Sequence, residues 1–303
     1  MLKVVILGSA AGGGLPQWNC NCAVCAAAWA DPGLRNTQMS VAVSADQGQN
    51  WFLINASPDI RQQILQTPAL HPDKSRLRHS PIAGVILTNG EIDAIAGLLS
   101  LREGTAFALH AHPRVLQTLA RNAVFDVLNP TLVPRIPLQL DAPFEPRLPD
   151  GSAAGLRVEA FAVPGKPAWY VESAAADPGD TIGVKLWPAT GGAAVFIIPA
   201  CAEVTPALAA RLQGARLVLF DGTLWQDDEM IRAGLGSKTG GRMGHMAMSG
   251  AGGSIAALAG LGITERVFVH INNTNPVQVP SDERAQAIAA GWRISAAGEE
   301  FTL

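Results

Sequence analysis

The stretch Gly84-Val85-Ile86-Leu87-Thr88-Asn89-Gly90-Glu91-Ile92-Asp93-Ala94 changes character halfway along. Its first half is apolar at strand length with no polar alternation, which predicts a strand buried on both faces. Its second half is polar and runs into a helix through Gly97-Leu98-Leu99-Ser100-Leu101. Polar groups just past the carboxyl end of a buried strand, at the start of a helix, are a common place for chemistry in α/β sheets.

Working outward, the pattern recurs. Lys3 to Leu7 is a buried strand that meets the turn Gly8-Ser9-Ala10-Ala11-Gly12-Gly13-Gly14. That turn lacks the Gly-Lys-Ser/Thr ending of a phosphate loop, so its glycines are read as letting backbone pass close to the core or a site. Ser40–Ser44 and Trp51–Asn55 flank Asp46-Gln47-Gly48 and predict a hairpin. Further strands are expected at Phe107–Ala111, Leu156–Val163, Thr181–Trp187, Ala194–Ile198, Arg216–Phe220, Arg266–His270 and Trp292–Ser295. Helices are expected after Ser57-Pro58, from Pro113, from Ser249 to about Leu261, and after Ser281. Residues 129–155 read as a long loop with a short strand. Strands of the same style resume beyond it, so the chain is taken as a single domain over residues 1–303. The class is α/β (α+β): two mixed sheets face to face with helices outside, which bury both faces of each sheet. The early hairpin argues against a doubly wound parallel sheet.

Composition narrows the function. Of 303 residues 48% are hydrophobic and 16% charged, and the net charge is −3 with no basic stripe, so nucleic-acid binding has no electrostatic support. No uninterrupted apolar span is long enough to cross a bilayer, and Val4-Val5-Ile6-Leu7 is too short for a signal peptide. Three of the four cysteines sit in Trp18-Asn19-Cys20-Asn21-Cys22-Ala23-Val24-Cys25. Cysteines clustered at metal spacing suit a reducing, cytoplasmic location. Thiolates this close repel unless a cation sits among them. Zinc takes four ligands in a tetrahedron; the stretch supplies three, and the fourth must come from far along the chain. Buried or redox thiols are the plainer alternative.

The polar residues near strand ends are Asp59, Asn89, Glu91, Asp93, Cys201, Asp221, His245 and His270. Carboxylates with histidine suit iron, manganese or zinc with open positions. Each has a structural alternative: a helix cap for Asp93, a turn for Asp221, a hydrogen-bonded core imidazole for His270, a buried thiol for Cys201. His110 and His112 alternate on one strand but have no third ligand nearby.

Thr88-Asn89-Gly90-Glu91-Ile92-Asp93-Ala94 and Gly97-Leu98 occupy the place of the T-H-x-H-x-D-H-x-x-G-L motif of the metallo-β-lactamase superfamily, with Asn89, Glu91 and Ala94 at the three histidine positions. His270 resembles that superfamily's last ligand histidine. A closer resemblance, running end to end, is to the pyrroloquinoline quinone (PQQ) biosynthesis protein B family. It is carried by the glycine-rich turn with Pro16-Gln17-Trp18-Asn19-Cys20, by Asn55-Ala56-Ser57-Pro58-Asp59-Ile60-Arg61, by Leu98-Leu99-Ser100-Leu101-Arg102-Glu103-Gly104, by Asp221-Gly222-Thr223, by Met243-Gly244-His245, and by His270-Ile271-Asn272-Asn273-Thr274-Asn275-Pro276.

The resemblance implies the αββα four-layer metallo-β-lactamase sandwich and a step in making PQQ, a redox cofactor built from a glutamate and a tyrosine of a precursor peptide. It implies one of two roles: an iron- and oxygen-dependent hydroxylase of the tyrosine-derived ring, or transport of PQQ or its precursor to the periplasm. A metal-dependent hydrolase is the reading of the wider fold. Related superfamily members complete a C-x-C-x-x-C zinc site with a histidine from a Gly-His turn, which makes Cys20, Cys22, Cys25 and His245 the expected structural zinc site. Glu91, Asp93, Asp221 and His270 are then left for an active-site Fe2+. The family usually has Asp-His where this chain has Asp93-Ala94, so the site is expected to be kept but to bind iron weakly, or to be less active than in relatives with the histidine. Arg61, Arg102 and Lys166 are expected to meet substrate carboxylates, and Asn272, Asn273 and Asn275 to offer neutral hydrogen bonds or orient His270. Other PQQ biosynthesis proteins and a second copy of the chain are the expected partners.

Overall fold

The computed structural model describes residues 1–171 and 175–303. Thirteen strands are assigned among them: β1 (Lys3–Gly8), β2 (Ser40–Ser44), β3 (Trp51–Ile54), β4 (Ile82–Ile86), β5 (Ala108–Ala111), β6 (Arg135–Pro137), β7 (Leu156–Ala162), β8 (Ile182–Pro188), β9 (Val195–Ile198), β10 (Leu217–Asp221), β11 (Glu265–Val269), β12 (Trp292–Ile294) and β13 (Glu300–Thr302). They form a seven-stranded sheet in the order β13-β1-β2-β3-β4-β5-β6 and a six-stranded sheet in the order β12-β11-β10-β9-β8-β7. Both sheets are mixed. In the first, β13, β1, β2 and β3 pair antiparallel and β3 to β6 parallel. In the second, β7, β8 and β9 pair antiparallel and β9 to β12 parallel.

Alternation along the strands explains the layering. Val4, Ile6, Val41, Val43, Phe52 and Ile54 of the first sheet share one cluster with Val158, Ala160, Val184, Leu186, Leu217 and Leu219 of the second, so these faces meet. The alternate residues Val5, Leu7, Leu53, Val85 and Leu87 pack instead under Ile60, Ile95, Leu98, Val115 and Leu119. On the far side Phe196, Ile198, Val218, Phe220 and Phe268 pack under Leu208, Leu212, Leu258 and Ala287. Period-2 burial on strands that are apolar on both faces thus produces helix, sheet, sheet, helix. A satellite cluster of Ala10, Leu15, Cys20, Val24, Cys25 and Ala28 holds the N-terminal cysteine segment.

The predicted hairpin is present as β2 and β3. Local details differ. Ser57 does not cap the following helix; that helix spans Ile60–Gln66, and the Ser57 hydroxyl bonds the Gln63 side chain instead. The helix expected from Ser249 is the shorter Ser254–Leu258, which begins after Gly253. The strand β13 was not expected; it is three residues long and pairs with β1 on the sheet edge.

Four features bring the polar strand ends together. The carboxyl ends of β10 and β11 lie side by side, with Asp221 opposite Val269, the residue before His270. Across the sandwich the Ile182 amide donates to the Thr88 carbonyl at 2.9 Å, joining the end of β4 to the start of β8. The glycine-rich turn crosses from the first sheet to the second, where the Ala11 amide donates to the Ile271 carbonyl and the Ile271 amide to the Ser9 carbonyl, both at 2.8 Å. The helix bearing Asp93 (Ile92–Ile95) is jammed against the 55–57 turn: a Cβ at Gly97 would lie 2.1 Å from the Ser57 carbonyl oxygen.

Candidate metal centre

Asp221, at the last position of β10, is fully buried. Its carboxylate accepts hydrogen bonds from the Cys201 amide (2.9 Å), the Thr223 amide (3.0 Å) and the Thr223 hydroxyl (2.6 Å). The same Thr223 hydroxyl lies 2.8 Å from His270 Nδ1 and 3.0 Å from His245 Nδ1. His270 follows β11 at a φ of 55°, a left-handed conformation that a non-glycine residue keeps only when its surroundings enforce it. Its Nε2 reaches Asp93 Oδ2 at 2.9 Å.

His245 is delivered by a turn. The short helix Gly240–Met243 ends at Gly244, whose φ is 91°, and the next amide bonds back to Gly240. Met246 then hangs from the Cys201 carbonyl at 2.7 Å. The imidazole comes to rest with Nδ1 2.7 Å from Asp221 Oδ2 and its ring stacked on that of His270, centroids 5.1 Å apart.

This corrects the expected zinc site. Asp221, His245 and His270 offer ligand atoms that all lie within 4.8 Å of one another, while Cys20, Cys22 and Cys25 form a separate trio without His245. The group facing the thiols is Asn273, whose carbonyl oxygen is 3.6 Å from Cys22 Sγ and 3.9 Å from Cys25 Sγ and whose side-chain amide donates to Cys25 Sγ at 3.2 Å. Burial and the neighbouring sulfurs push the Cys22 thiol up to about 11, and a zinc ion is the kind of cation that would draw this trio into use as ligands. Cys201 is a buried thiol, pushed up to about 12 by burial and by Asp221.

Glu91 is also reassigned. Its Oε1 accepts from Lys166 Nζ at 2.8 Å and from the Trp169 amide at 3.1 Å, and it stands outside the ligand cluster. With Glu91 removed and His245 added, the clustered candidate donors are Asp221, His245 and His270, with the Asp93 carboxylate bonded to His270 beside them. Burial would raise the Asp93 carboxyl, but the His270 bond and the charges of both imidazoles outweigh it and hold it below the usual carboxylate range. Burial would likewise depress His270, and the Asp93 bond with the Asp93, Asp221 and Glu91 charges raises it instead. The expectation of a site with a single imidazole therefore fails: two imidazoles converge with two carboxylates, a donor set that fits a first-row divalent metal with open positions. Ala94 is buried in the apolar layer beside Ile95 and Leu98.

The centre opens into a cleft of about 750 Å³ lined by Gly12, Gly13, Ile92, Asp93, Lys166, Trp169, Lys238, Arg242, Met243, His245, His270 and Asn272 among others. Of the residues expected to meet substrate carboxylates only Lys166 lines it. Arg61 is on the outer surface, and Arg102 pairs with Glu103 at 3.1 Å. Asn275 is fully buried and braces the loop by donating to the Gly222 carbonyl at 2.9 Å, while Asn273 faces the thiols, so neither reaches the cleft. Thr223, which touches both imidazoles and Asp221, lies in the Asp221-Gly222-Thr223 stretch that carries the family resemblance, but its residue type alone gives no sign of this role.

Residues 50–271 match the model of the beta-lactamase superfamily domain. Over its whole length the chain is 60% identical to coenzyme PQQ synthesis protein B of Rhodopseudomonas palustris strain BisB5 and 57% identical to that of Bradyrhizobium diazoefficiens, with 100% of each protein covered in both cases. The chain belongs to the coenzyme PQQ synthesis protein B family. Zn(2+)-bound PqqB from Methylobacterium extorquens, a solved structure at 51% identity, superposes with a TM-score of 0.93 over 99% of this chain and 100% of that one. A diphosphatase of the PhnP family, at 20% identity and a TM-score of 0.69 over 100% of this chain and 98% of that one, shares the fold alone. The expected family and αββα architecture thus hold, and no helix among the described residues is long and apolar enough to cross a membrane.

Proposed function

We propose that this chain acts in PQQ biosynthesis as an iron- and oxygen-dependent hydroxylase of the tyrosine-derived ring of a pathway intermediate. The observation that supports it best is the convergence of His245 and His270 with Asp93 and Asp221 at the floor of an open cleft. Two imidazoles and a carboxylate with open positions are the ligand pattern of non-haem iron oxygenases. Iron, when bound, supplies the redox chemistry by which dioxygen is activated.

The chain's own residues do the rest. Asp93 and Asp221 bring the negative charge that offsets a divalent cation, and Thr223 fixes the ring planes of both imidazoles. Ile92, Met243 and Trp169 give the cleft apolar walls against which a flat ring packs and from which water is displaced. Lys166 is held by Glu91 at the same wall, so its ammonium is positioned before substrate arrives. Cys20, Cys22 and Cys25 would hold a zinc ion, and the Asn273 carbonyl oxygen, 3.6 Å from Cys22 Sγ, faces the same trio, so an ion there would brace the loop after His270.

The test is incubation of iron-loaded protein with a tyrosine-derived intermediate under ¹⁸O₂, followed by mass measurement. A product heavier by incorporated oxygen supports the proposal. Tight binding with no incorporation favours the carrier role, and turnover of esters or phosphodiesters without oxygen favours a hydrolase.

A further inference from the structure

The cleft carries more positive charge than its pairing uses. Five of its lining residues are Lys166, Lys238, Arg242, Glu91 and Asp93. Lys166 is spent on Glu91 at 2.8 Å, and Asp93 on His270 at 2.9 Å. That leaves Lys238 and Arg242. Neither side chain has an ion-pair or hydrogen-bond partner among the described residues; the Arg242 backbone amide donates to the Thr239 hydroxyl.

Both cations sit on the segment that ends in His245. Residues 232–238 are exposed and form the outer lip. The short helix Gly240–Met243 is pinned at its start, where the Gly240 and Gly241 amides donate to the Asp227 carbonyl and carboxylate, both at 2.8 Å. Arg242 is therefore on an anchored turn three residues before a ligand of the metal centre, not on a free loop. Trp169 offers the cleft an exposed indole, and its backbone amide is tied to Glu91 at 3.1 Å. Two unspent cations beside an aromatic wall and a metal floor match a flat, aromatic ligand carrying more than one carboxylate. An arginine fork takes a carboxylate with two parallel bonds, and a lysine takes one as a point charge.

The geometry points to Lys238 and Arg242 as the residues that select the substrate, gripping carboxylates of a planar aromatic polyacid whose ring lies against Trp169 with its reacting edge toward His245 and His270. This rests on the function proposed above and assigns the recognition to the basic lip, not to Arg61 or Arg102.

Equilibrium dialysis with PQQ as the probe, and with its methyl ester as the uncharged comparison, tests it on the full-length protein at fixed metal content. Charge-assisted bonds at exposed positions predict roughly 5- to 20-fold weaker PQQ binding for Lys238→Gln and for Arg242→Gln, and about 100-fold for the pair. Arg61→Gln and Arg102→Gln stay within about twofold of wild type. On the unaltered protein, PQQ binding weakens as salt rises and the ester binds at least tenfold less tightly, a comparison that needs no variant to fold. Equal binding of acid and ester, a double variant within twofold of wild type, or no PQQ binding at all overturns the assignment. Absence of oxygen incorporation with the binding results intact overturns the hydroxylase reading alone.

Discussion

Replacing His245 with alanine separates the two metal positions. The imidazole makes a 2.7 Å bond to Asp221 and a 3.0 Å contact with Thr223, and it makes none with the thiols. Its loss leaves Asp221 buried, yet the Cys201 amide, the Thr223 amide and the Thr223 hydroxyl still satisfy that carboxylate. The expected stability cost is that of one charge-assisted bond, about 1.5–3 kcal/mol, so the variant folds. Removal of an outer partner of a ligand costs about 10–100-fold in metal affinity, and removal of a direct ligand is expected to cost at least about 100-fold. Fe(II) titration against a competing chelator measures the carboxylate centre. Co(II) substitution measures the other, through the thiolate-to-metal charge-transfer band. The expected result is weak Fe(II) binding with an unchanged thiolate band. If His245→Ala instead loses the band and keeps its Fe(II) affinity, the imidazole belongs to the cysteines and the separation of the two sites is wrong.

Glu91→Gln is expected to leave the metal content unchanged, because Glu91 is tied to Lys166 and Trp169; loss of one metal per chain on elemental analysis would restore it as a ligand. Thr223→Val keeps the shape but removes the hydroxyl that touches Asp221 and both imidazoles, and Fe(II) affinity should fall about 10–100-fold. Cys22→Ser should lose the thiolate band and melt earlier, while unaltered thermal stability would count against a structural ion at the thiols. His110 is buried with neither ring nitrogen hydrogen-bonded, and burial lowers it from 6.5 to about 4. The unfolded chain therefore takes up a proton that the native state refuses. The resulting cost is absent above pH 6.5, grows as pH falls, and reaches about 3 kcal/mol near pH 4. His110→Phe should remove about 2 kcal/mol of the stability lost between pH 7 and pH 5 in urea unfolding, and an unchanged pH dependence would refute it.

Much of the scaffold was legible because strand burial is written locally. Apolar runs such as Ile82–Ile86 and Leu217–Asp221 announce themselves, and polar groups just past their ends sit on one rim for topological reasons. Asp93, Asp221 and His270 are read that way, and the structure brings them together. His245 was found as a residue and misplaced as a ligand, because its destination depends on Gly244 adopting a left-handed turn and on Met246 bonding to Cys201 some 45 positions earlier in the chain. Neither is a property of the local sequence. Glu91 was misplaced for the same reason: its partner Lys166 lies 75 residues away. Arg61 and Arg102 were nominated by charge alone, and charge does not say which side of a sheet a helix faces.

The reassignment of His245 also changes what the cysteine segment does. Had the imidazole closed the thiol site, the N-terminus would be tied to the turn at 240–245. The thiols instead face Asn273, three residues past His270, in a loop already held by Asn275 on Gly222 and by Gln278 on the Ile271 carbonyl. His270 keeps its left-handed φ of 55° only while that loop is fixed. The cysteine segment therefore backs the candidate centre from behind: an ion at the thiols would stiffen the backbone that presents His270, without touching the cleft. A C-x-C-x-x-C segment that offers no donor to the cluster of Asp221, His245 and His270 is thereby coupled to it through three residues of backbone.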